Sequence, residues 1–406
     1  MEEWNIIKAY DYCYNVTDGT HDSPKQTEFG KYLITSKHIK DNRIDFESAY
    51  KISEDDYNKI ITRSKVDQWD IIISMIGAYC GFCCIESSKQ TDYAIKNVGL
   101  LKVGNELKCK WLYYYLTSPH GKQQLSKLRS GSSQPYISLG ALRNLDIPVP
   151  NENTMSDIVS VLSSLDSKIE LNRCINDNLE QQAQALFKSW FVEKPNPQWT
   201  KGSLSDIASF VGGYSYKGDE LVDSSNTGMA TIKNYNRSGG FKTDGFKAIN
   251  PSDKVKNAQY AELFEILVAH TDLTQNAEVI GNAELVLSLG EYNKIIFSMD
   301  LVKVLPSSSF PYRFLIAAML KNKLFKGHCQ GYVNGTTVLH LNKKALPEYK
   351  VMIPTDTEAK KMNEILGGYY KRMSENLKES DMLEQLRDTI LPKLMSGELK
   401  INDLNC

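Results

Sequence analysis

Two stretches of the chain place apolar residues at alternating steps of four and three positions. In the first stretch the repeating positions are Ile158, Leu162, Leu165, Ile169, Asn172, Asn176, Leu179, Ala183, Leu186 and Trp190. The second stretch has the same phase 204 residues later, at Met362, Leu366, Tyr369, Met373, Asn376, Ser380, Leu383, Arg387, Ile390 and Leu394. This spacing is typical of a coiled-coil seam, so the chain is predicted to contain two long helices.

Polar residues near the centre of each seam predict how the two helices pair. Antiparallel pairing about the midpoint of the first seam sets Asn176 against Asn376 and Asn172 against Ser380. The same register pairs apolar residues, Ile158 with Leu394 and Leu162 with Ile390. Buried amides penalise any register that faces them with leucine, so they would define the alignment. The alternative is that the asparagines face solvent at a local break, because Leu165 would face Arg387.

The seam has a length that bears on what the helices could span. Its first copy covers 33 residues, from Ile158 to Trp190. At 1.5 Å per residue this is roughly 50 Å. One turn of B-DNA is about 34 to 36 Å, so the paired helices would be longer than a turn of duplex.

Each seam follows a globular stretch. The predicted boundaries are a first domain at 1–152, a first helix at 153–194, a second domain at 195–354, a second helix at 355–395 and a tail at 396–406. Short β-branched runs separated by Gly, Asn, Asp and Ser predict mainly β domains, with helical turns at 110–128 and 311–325. A capping-box pattern, Thr355-x-x-Glu358, opens the second helix. Pro195 and Pro197 should end the first helix, and Pro392 and Gly397 the second.

Landmarks recur in the two globular stretches, although most of their sequence differs. Trp4 and Trp199 open them, and Gly19 in "VTDGTHDSP" corresponds to Gly213 in "FVGGYSYKG". We therefore predict an α+β fold with two mainly β domains separated by an antiparallel two-helix coiled coil. The repeat predicts a pseudo-twofold, circular arrangement in which the tail 396–401 lies beside Trp4.

Charge is divided unevenly along a chain whose formal net charge is −1. Residues 1–150 carry 19 Lys and Arg against 18 Asp and Glu, and residues 195–354 carry 17 against 14. The remainder, mainly the helices, carries 12 against 17. A chain without a polybasic region should bind DNA modestly and with strong salt dependence unless partners supply phosphate contacts.

Other features argue against a membrane or metal protein. No apolar run approaches the ~18 residues of a membrane span, and the N-terminus lacks signal-peptide character, so we expect a cytoplasmic protein. Cys80 and Cys83 form a CxxC pair, but no second pair stands at zinc-site spacing. We interpret both as small apolar core residues and expect no metal site.

Four segments resemble one known family. The runs "LDSKIELNRCINDNLEQQAQALFKSWFVE" (165–193) and "LEQLRDTILPKLMSGELKI" (383–401) resemble the two conserved regions of specificity subunits of type I restriction-modification systems. "DGTHDSP" (18–24) and "GSSQPYISLGALRNLDIPVP" (131–150) resemble the target-recognition domains of the same family. The second domain departs further, since "NGTTVLHL" (334–341) follows the pattern only loosely.

The resemblance implies a subunit that performs no chemistry itself. Each target-recognition domain would read one half of a bipartite site on double-stranded DNA, and the helix pair would set the spacer and dock two methyltransferase subunits. Restriction subunits, which are ATP-dependent translocases, would join them. S-adenosylmethionine, magnesium and ATP would belong to these partners, with no cofactor on this chain. The chain accordingly lacks a G-x-x-x-x-G-K-[ST] loop, and Asn196-Pro197-Gln198-Trp199 departs from the amino-methyltransferase tetrad.

DNA contacts are expected from polar side chains on loops that can enter the major groove. In the first domain the candidates are Thr20, His21, Ser36, Lys37, Ser132, Ser133, Gln134 and Tyr136. In the second domain they are Tyr214, Ser215, Tyr216, Lys217, Lys233, Asn234, Asn334, Thr336 and Thr337. Gln134 is the best candidate for an adenine edge, because its amide both donates and accepts. The competing explanation is ordinary turn chemistry and tyrosine packing.

Two other functions fit the sequence less well. One is a scaffold in which the helices hold two protein-binding β modules without DNA, which the near-neutral charge favours slightly. The other is the specificity subunit of a related multi-subunit restriction enzyme that cuts beside its site. Since the helices match closely while the domains do not, the predicted target is two unlike short blocks separated by a fixed gap.

Overall fold

The protein is described by a computed structural model covering residues 4–40, 43–131, 134–237 and 239–401. The chain divides into two compact units. Unit 1 comprises residues 1–167 and 383–406, and unit 2 comprises residues 168–382. The unit boundaries therefore fall inside the two long helices, whereas the predicted domains ended where each helix begins.

The main sheet of unit 1 is buried on both faces. Its four antiparallel strands are, in spatial order, Asn15–Asp18, Val98–Lys102, Asp70–Ser74 and Cys83–Glu86. Ile71 and Ile73 enter the core that contains the helices, while Ile72 enters a second core on the opposite face. This explains the continuous apolar run "IIIS", because a sheet covered on both sides needs no polar alternation.

Smaller sheets complete unit 1. A three-stranded sheet joins Tyr50–Ile52, Lys31–Thr35 and Tyr93–Lys96, and its last two strands run parallel. Two-stranded pairs join Asn5–Lys8 to Asp146–Val149, Ile39–Lys40 to Arg43–Ile44, and Arg129–Ser130 to Tyr136–Ile137. The opening strand of the unit is thereby paired with the strand that precedes the first long helix.

Most helices of unit 1 pack on one face of its main sheet, whereas Glu54–Ser64 packs on the three-stranded sheet. The helices are Ala9–Tyr12, Glu54–Ser64, Glu106–Thr117, Pro119–Lys127 and Leu139–Arg143. The helical turns predicted at 110–128 form two helices, because Ser118 ends one and caps the next by accepting from Gly121 N at 3.1 Å. Trp111 and Tyr115 fill the core between these helices and the sheet.

Unit 2 repeats this plan with different sequence. Its four-stranded antiparallel sheet has the order Ala208–Gly212, Leu301–Pro306, Ile266–Ala269 and Ala283–Leu285. A second sheet has the order Lys247–Ala248, Thr227–Ala230, Lys294–Phe297 and Tyr260–Ala261, and its two central strands run parallel. Further pairing joins Thr200–Ser203 to Lys350–Ile353, and Leu339–Leu341 to both Thr271–Asp272 and Val333–Asn334.

The α-helices of unit 2 follow the order seen in unit 1, except that the fully described stretch 249–265 has no counterpart of Glu54–Ser64. The α-helices are Leu204–Ile207, Arg313–Leu320, Lys323–Gln330 and Ala345–Glu348. Single 3₁₀ turns occur at Ile232–Asn234 and Asn257–Gln259, among others. The helical turns predicted at 311–325 are again two helices, separated by Asn322, whose side chain accepts from Leu324 N at 2.9 Å and Phe325 N at 3.1 Å.

The two long helices are Glu152–Phe187 and Asp356–Met395. The first continues into a wider π-helical segment, Lys188–Glu193. Thr355 and Glu358 form both hydrogen bonds of the capping box. Pro392 lies inside the second helix and does not end it, so that prediction is wrong. A proline removes only its own N–H donor, and the Pro392 carbonyl still accepts from Ser396 N at 3.0 Å, so the helix continues to Met395 before Gly397 at φ +71°.

Within unit 2, asparagines of the two long helices are hydrogen-bonded to each other and buried. Asn376 Nδ2 donates to Asn176 Oδ1 at 2.8 Å, and Asn172 Nδ2 reaches Ser380 Oγ at 3.4 Å. Asn172 also donates to Glu379 Oε2 at 2.8 Å. Asn172, Asn176 and Asn376 are 0%, 9% and 1% exposed, so they do not face solvent at a break. The partner numbers fall on one helix as they rise on the other, so these segments run in opposite directions.

Within unit 1, the helix segments share an apolar core. Ile158, Leu162, Ile390 and Leu394 belong to one buried cluster. Arg387, predicted to lie against Leu165, donates to Asp166 Oδ1 at 2.9 Å. Gly397 lies near the Trp4 ring, and Leu399 and Ile401 pack on the same cluster. In the described ranges no helix has the length and apolar character that crossing a bilayer would need.

Candidate nucleic-acid interface

The first candidate loop of each unit is held tightly against a neighbouring strand. A Cβ atom on Gly19 would lie 2.4 Å from Ile95 O, and one on Gly213 would lie 1.9 Å from Ser298 O. Only glycine fits such an approach, which explains the glycine at both positions. The next residue then bonds to the same strand, with Thr20 N donating to Ile95 O at 3.0 Å.

The second candidate loop of each unit is a 3₁₀ turn closed by its own side chains. Thr35 N donates to His38 Nδ1 at 3.0 Å, and Thr231 N donates to Asn234 Oδ1 at 2.9 Å. His38 and Asn234 are fully buried beneath their turns. Burial, with a smaller contribution from Lys37, lowers the pKa of His38, so its imidazole is neutral at physiological pH. The exposed residue of each turn is the lysine, Lys37 or Lys233.

The third candidate loop turns at a glycine with positive φ. Gly131 has φ +86° and Gly335 has φ +115°. The strand after each loop pairs with another segment of its unit, Tyr136 with Ile76 and His340 with Thr271. Gln134 and Tyr136 are exposed, as are Asn334, Thr336 and Thr337. Ser132 and Ser133 lie outside the described residues.

Two of the three loops of unit 1 meet at Asn97. His21 Nδ1 lies 2.9 Å from Asn97 Oδ1, and Ser36 Oγ donates to Asn97 O at 3.1 Å. Asn97 N in turn donates to Thr20 O at 3.2 Å, and Asn97 adopts a left-handed φ of +53°. Among the described residues, no hydrogen bond joins Gln134 to this group. The structure thus brings Thr20, His21 and Ser36 together and leaves the third loop as a separate element.

Each unit has a buried ion pair at the same place in the backbone frame formed by its main four-stranded sheet. In unit 1, Lys102 Nζ lies 2.7 Å from Asp70 Oδ2 between adjacent strands of the main sheet. In unit 2, Lys303 Nζ lies 2.8 Å from Glu265 Oε2 at the corresponding place. The residue before each acid has positive φ, +66° at Trp69 and +67° at Phe264. Two copies of one backbone frame therefore carry loops of unlike sequence.

Comparison with protein families identifies this repeated unit. The profile described as "Type I restriction modification DNA specificity domain" matches residues 1–181 and again residues 196–385. The chain belongs to this family.

Relatives within this family match the chain to different extents. The Type I restriction enzyme MjaIX specificity subunit of Methanocaldococcus jannaschii is 23% identical over 316 residues, covering 73% of this chain and 70% of the relative. The HindI specificity subunit of Haemophilus influenzae is 40% identical over 84 residues, covering 21% of this chain and 18% of the relative. A crystal structure of the Type-I restriction-modification system S subunit from M. genitalium covers 96% of each chain with a TM-score of 0.52 and 18% identity, which shows a shared fold.

Two residues predicted to contact DNA have structural roles in the fold of this specificity subunit family. Tyr214 is only 5% exposed, and its hydroxyl donates to Glu220 Oε1 at 2.6 Å. Asn234 is fully buried and donates to Lys242 O at 2.8 Å while closing its turn. Tyr216 is half-buried against a small apolar cluster. Ser215, Lys217 and Lys233 remain exposed in unit 2.

Sequence reasoning missed an arginine beside the first loop. Arg63 Nη2 donates to Asp18 Oδ1, and His21 Nε2 lies 3.1 Å from the other oxygen of that carboxylate. Asp18 is buried, at 6% side-chain exposure, while Arg63 and His21 are 56% and 66% exposed. Asp18 in "DGTH" was the only sequence feature that pointed to this place. Nothing in the helix Glu54–Ser64 indicates that Arg63 would be the partner of Asp18.

The two buried CxxC cysteines belong to the core of unit 1. Cys80 and Cys83 are 1% and 2% exposed, and burial raises the pKa of Cys83 to about 12. Both thiols are therefore protonated and pack as small apolar side chains. In the part of the chain that the structure describes, no cluster of His, Cys, Asp and Glu side chains is arranged to hold a metal ion.

Proposed function

We propose that this chain is the DNA sequence-specificity subunit of a type I restriction-modification complex. Each unit contributes one recognition domain, and each domain reads one half of a bipartite, asymmetric site on double-stranded DNA. The observation that carries this proposal is the repetition of one buried frame beneath exposed loops of different chemistry. A shared frame presents both loop sets in the same way, while unlike side chains give unlike half-sites.

The proposed DNA contacts are the exposed and half-buried polar side chains of these loops. In the first domain they are Thr20, His21, Ser36, Lys37, Gln134 and Tyr136, with Ser132 and Ser133 retained as sequence-based predictions. In the second domain they are Ser215, Tyr216, Lys217, Lys233, Asn334, Thr336 and Thr337. Tyr214 and Asn234 are left out, because their polar groups are buried and already bonded inside the protein.

The long helices have a separate role in this proposal. Paired as an antiparallel coiled coil in a pseudo-twofold arrangement, they would set the unread gap between the half-sites. The buried asparagine layer supports a single register, since sliding the helices would place amides against leucine. Large apolar side chains also lie exposed on the helices, at Leu171, Ile365, Met382 and Leu386. Such residues suit a protein interface, and we propose that two methyltransferase subunits dock there.

Catalysis belongs to the partners in this proposal. The methyltransferase subunits would bind S-adenosylmethionine, and the restriction and translocase subunits would use magnesium and ATP. This chain would supply binding and orientation only. Its nearly neutral domains would bind DNA weakly alone, so the partners would add phosphate contacts.

Methylome sequencing tests the proposal directly. The chain is expressed with its methyltransferase subunits in a host without other methylation, and modified adenines are mapped. We expect two unlike short blocks separated by a fixed gap. A continuous palindrome, or a stable complex that methylates without sequence preference, would overturn the proposal.

Matched variants in the two domains sharpen the experiment. Gln134→Ala should relax the first half-site and leave the second intact, because Gln134 lies exposed in unit 1. Thr336→Ala, in the corresponding loop of unit 2, should do the opposite. If either variant changed both half-sites equally, the assignment of one domain to one half-site would be wrong.

A further inference from the structure

The carboxylate of Asp18 orients two exposed side chains at one place on unit 1. Its Oδ1 accepts from Arg63, and its Oδ2 lies 3.1 Å from His21 Nε2. The other ring nitrogen of His21 lies 2.9 Å from Asn97 Oδ1, so the imidazole is held on both sides. Because Asp18 is buried at the end of the edge strand Asn15–Asp18, neither partner can move far without breaking a contact to a buried carboxylate.

Arg63 projects from the last turn of the helix Glu54–Ser64 into an open cleft. The cleft is lined by residues of this helix and of the first candidate loop, including Thr20, Asp22, Ser23, Lys59, Arg63 and Ser64. More than half of the Arg63 side chain is exposed, at 56%. Since Asp18 engages one terminal nitrogen, a fixed guanidinium is presented beside Thr20 and His21.

The stretch of unit 2 that corresponds to the Arg63 helix has different secondary structure. Unit 1 has an 11-residue helix between the strands Tyr50–Ile52 and Asp70–Ser74. In the fully described stretch between Lys247–Ala248 and Ile266–Ala269, unit 2 has a 3₁₀ turn and a two-residue strand. The arginine is therefore an addition to one domain, as a residue specific to one half-site would be.

We propose that Arg63, positioned by Asp18, is a specificity-determining residue that reads a guanine in the first half-site. This inference rests on the proposed function. A guanidinium matches the O6 and N7 acceptors of guanine through two parallel N–H donors, and a fixed one loses little freedom on binding. Lysine can keep the charge but cannot make the paired contact.

Selection from a random duplex library tests this inference. The full chain in complex with its methyltransferase subunits selects from duplexes that keep the second half-site and randomise the first. Wild type should enrich guanine at one position. Both Arg63→Lys and Arg63→Ala should reduce that preference by roughly 5- to 150-fold, the range for one bidentate base contact, and leave preference at the second half-site unchanged.

Two further variants separate base reading from charge and from folding. Lys59→Ala removes a cation one turn earlier on the same helix and should weaken binding to all sequences alike. Asp18→Asn should lower the same guanine preference as Arg63→Lys, because it releases the guanidinium. Melting curves identify any variant that fails to fold, in which case Arg63→Lys, the mildest change, decides.

The possible outcomes are distinct. Retained guanine preference in Arg63→Lys would overturn the inference, and so would a uniform loss of affinity in Arg63→Ala without a change in preference, which indicates a phosphate contact. If wild type itself enriched no half-site, the proposed function would fail instead.

Discussion

Unit 1 and unit 2 agree where the protein is buried and differ where it is exposed. Both have a four-stranded sheet of the same order, a buried Lys to Asp or Glu pair, and a glycine pressed against a neighbouring carbonyl. Their candidate loops share little beyond these features. The buried frame is constrained by packing and by the high cost of unpaired charge, whereas an exposed loop side chain costs little to change. Such a frame allows recognition to vary without loss of the fold.

The two units also differ in how each holds its long helices. In unit 1, Tyr114 donates to Asp166 Oδ2 at 2.7 Å, and Arg387 binds the same carboxylate. In unit 2, Lys321 lies buried between Glu180 and Glu284, with its ammonium over the Tyr370 ring. Unit 1 therefore anchors its helix segments with one partly exposed acid, and unit 2 with one buried base.

Removing the buried base should have the largest effect on stability. Lys321 is 8% exposed, and Lys321→Met keeps its apolar length while leaving two carboxylates without their cation. We expect a loss of about 3 to 5 kcal/mol in the free energy of unfolding, measured by urea titration. Lys110→Met in unit 1, which breaks an exposed pair with Glu106, should cost about 1 kcal/mol or less. Equal losses in the two variants would show that the buried cluster is not an anchor.

The C-terminal tail should matter to unit 1 alone. Leu399 and Ile401 are partly buried on the unit 1 core near Trp4, so removal of residues 396–406 should cost about 3 kcal/mol of unfolding free energy. Hydrogen exchange should locate the loosening in unit 1. The counterpart in unit 2 is Phe191, whose ring lies 4.9 Å from that of Trp199, and Phe191→Ala should loosen unit 2 instead. Unchanged exchange in unit 1 after truncation would contradict this.

The polar layer should contribute less, because only one amide pair is lost. Asn176→Ala leaves the buried Asn376 amide without its acceptor, which should cost roughly 2 kcal/mol in the free energy of unfolding. Asn178→Ala, on the exposed face of the same helix, is the control and should change stability by less than about 0.5 kcal/mol. The double variant Asn176→Leu and Asn376→Leu should recover the loss but relax helix register. A double variant as unstable as Asn176→Ala would contradict this account of the layer.

Local sequence patterns predicted the features that depend on neighbouring residues. The two long helices and the capping box at Thr355 follow from helical periodicity and turn chemistry, which act over a few residues. Asn176 and Asn376 are 200 residues apart, and their pairing was predicted only because both occupy positions of one repeated apolar pattern. Gly19 and Gly213 were also found, because a glycine beside polar loop residues is a recognisable signal.

Other contacts between distant residues could not be read from the sequence. Arg63 meets Asp18 from 45 residues away, and Lys321 meets Glu180 across a still longer separation. Tyr214 and Asn234 looked like exposed loop residues, since composition identifies a turn but not which side chains point inward. The fold decides these orientations, and no local pattern records them.

The smallest expected effect concerns His38, a buried residue that can titrate beneath the second candidate loop of unit 1. His38 closes its turn in unit 1, where unit 2 uses Asn234 for the same hydrogen bond. Burial lowers the pKa of His38 below its usual 6.5, with Lys37 adding to the effect and Asp45 opposing it. As the pH falls, His38 is therefore protonated at a higher pH in the unfolded chain than in the folded chain. The stability that His38 contributes should be complete above pH 6.5 and decline as the pH falls below it.

Hydrogen exchange, corrected for intrinsic rates, can measure this difference between the units at pH 7.5 and pH 5.5. Protection of residues 31–40 should fall at the lower pH relative to residues 227–236, which contain Asn234 but not His270, whose pKa burial also lowers. His38→Asn should remove the difference, because the asparagine can accept from Thr35 N as Asn234 does from Thr231 N. If the acid sensitivity of residues 31–40 persisted in that variant, its source would be another group, and the two turns would differ in more than the residue that closes them.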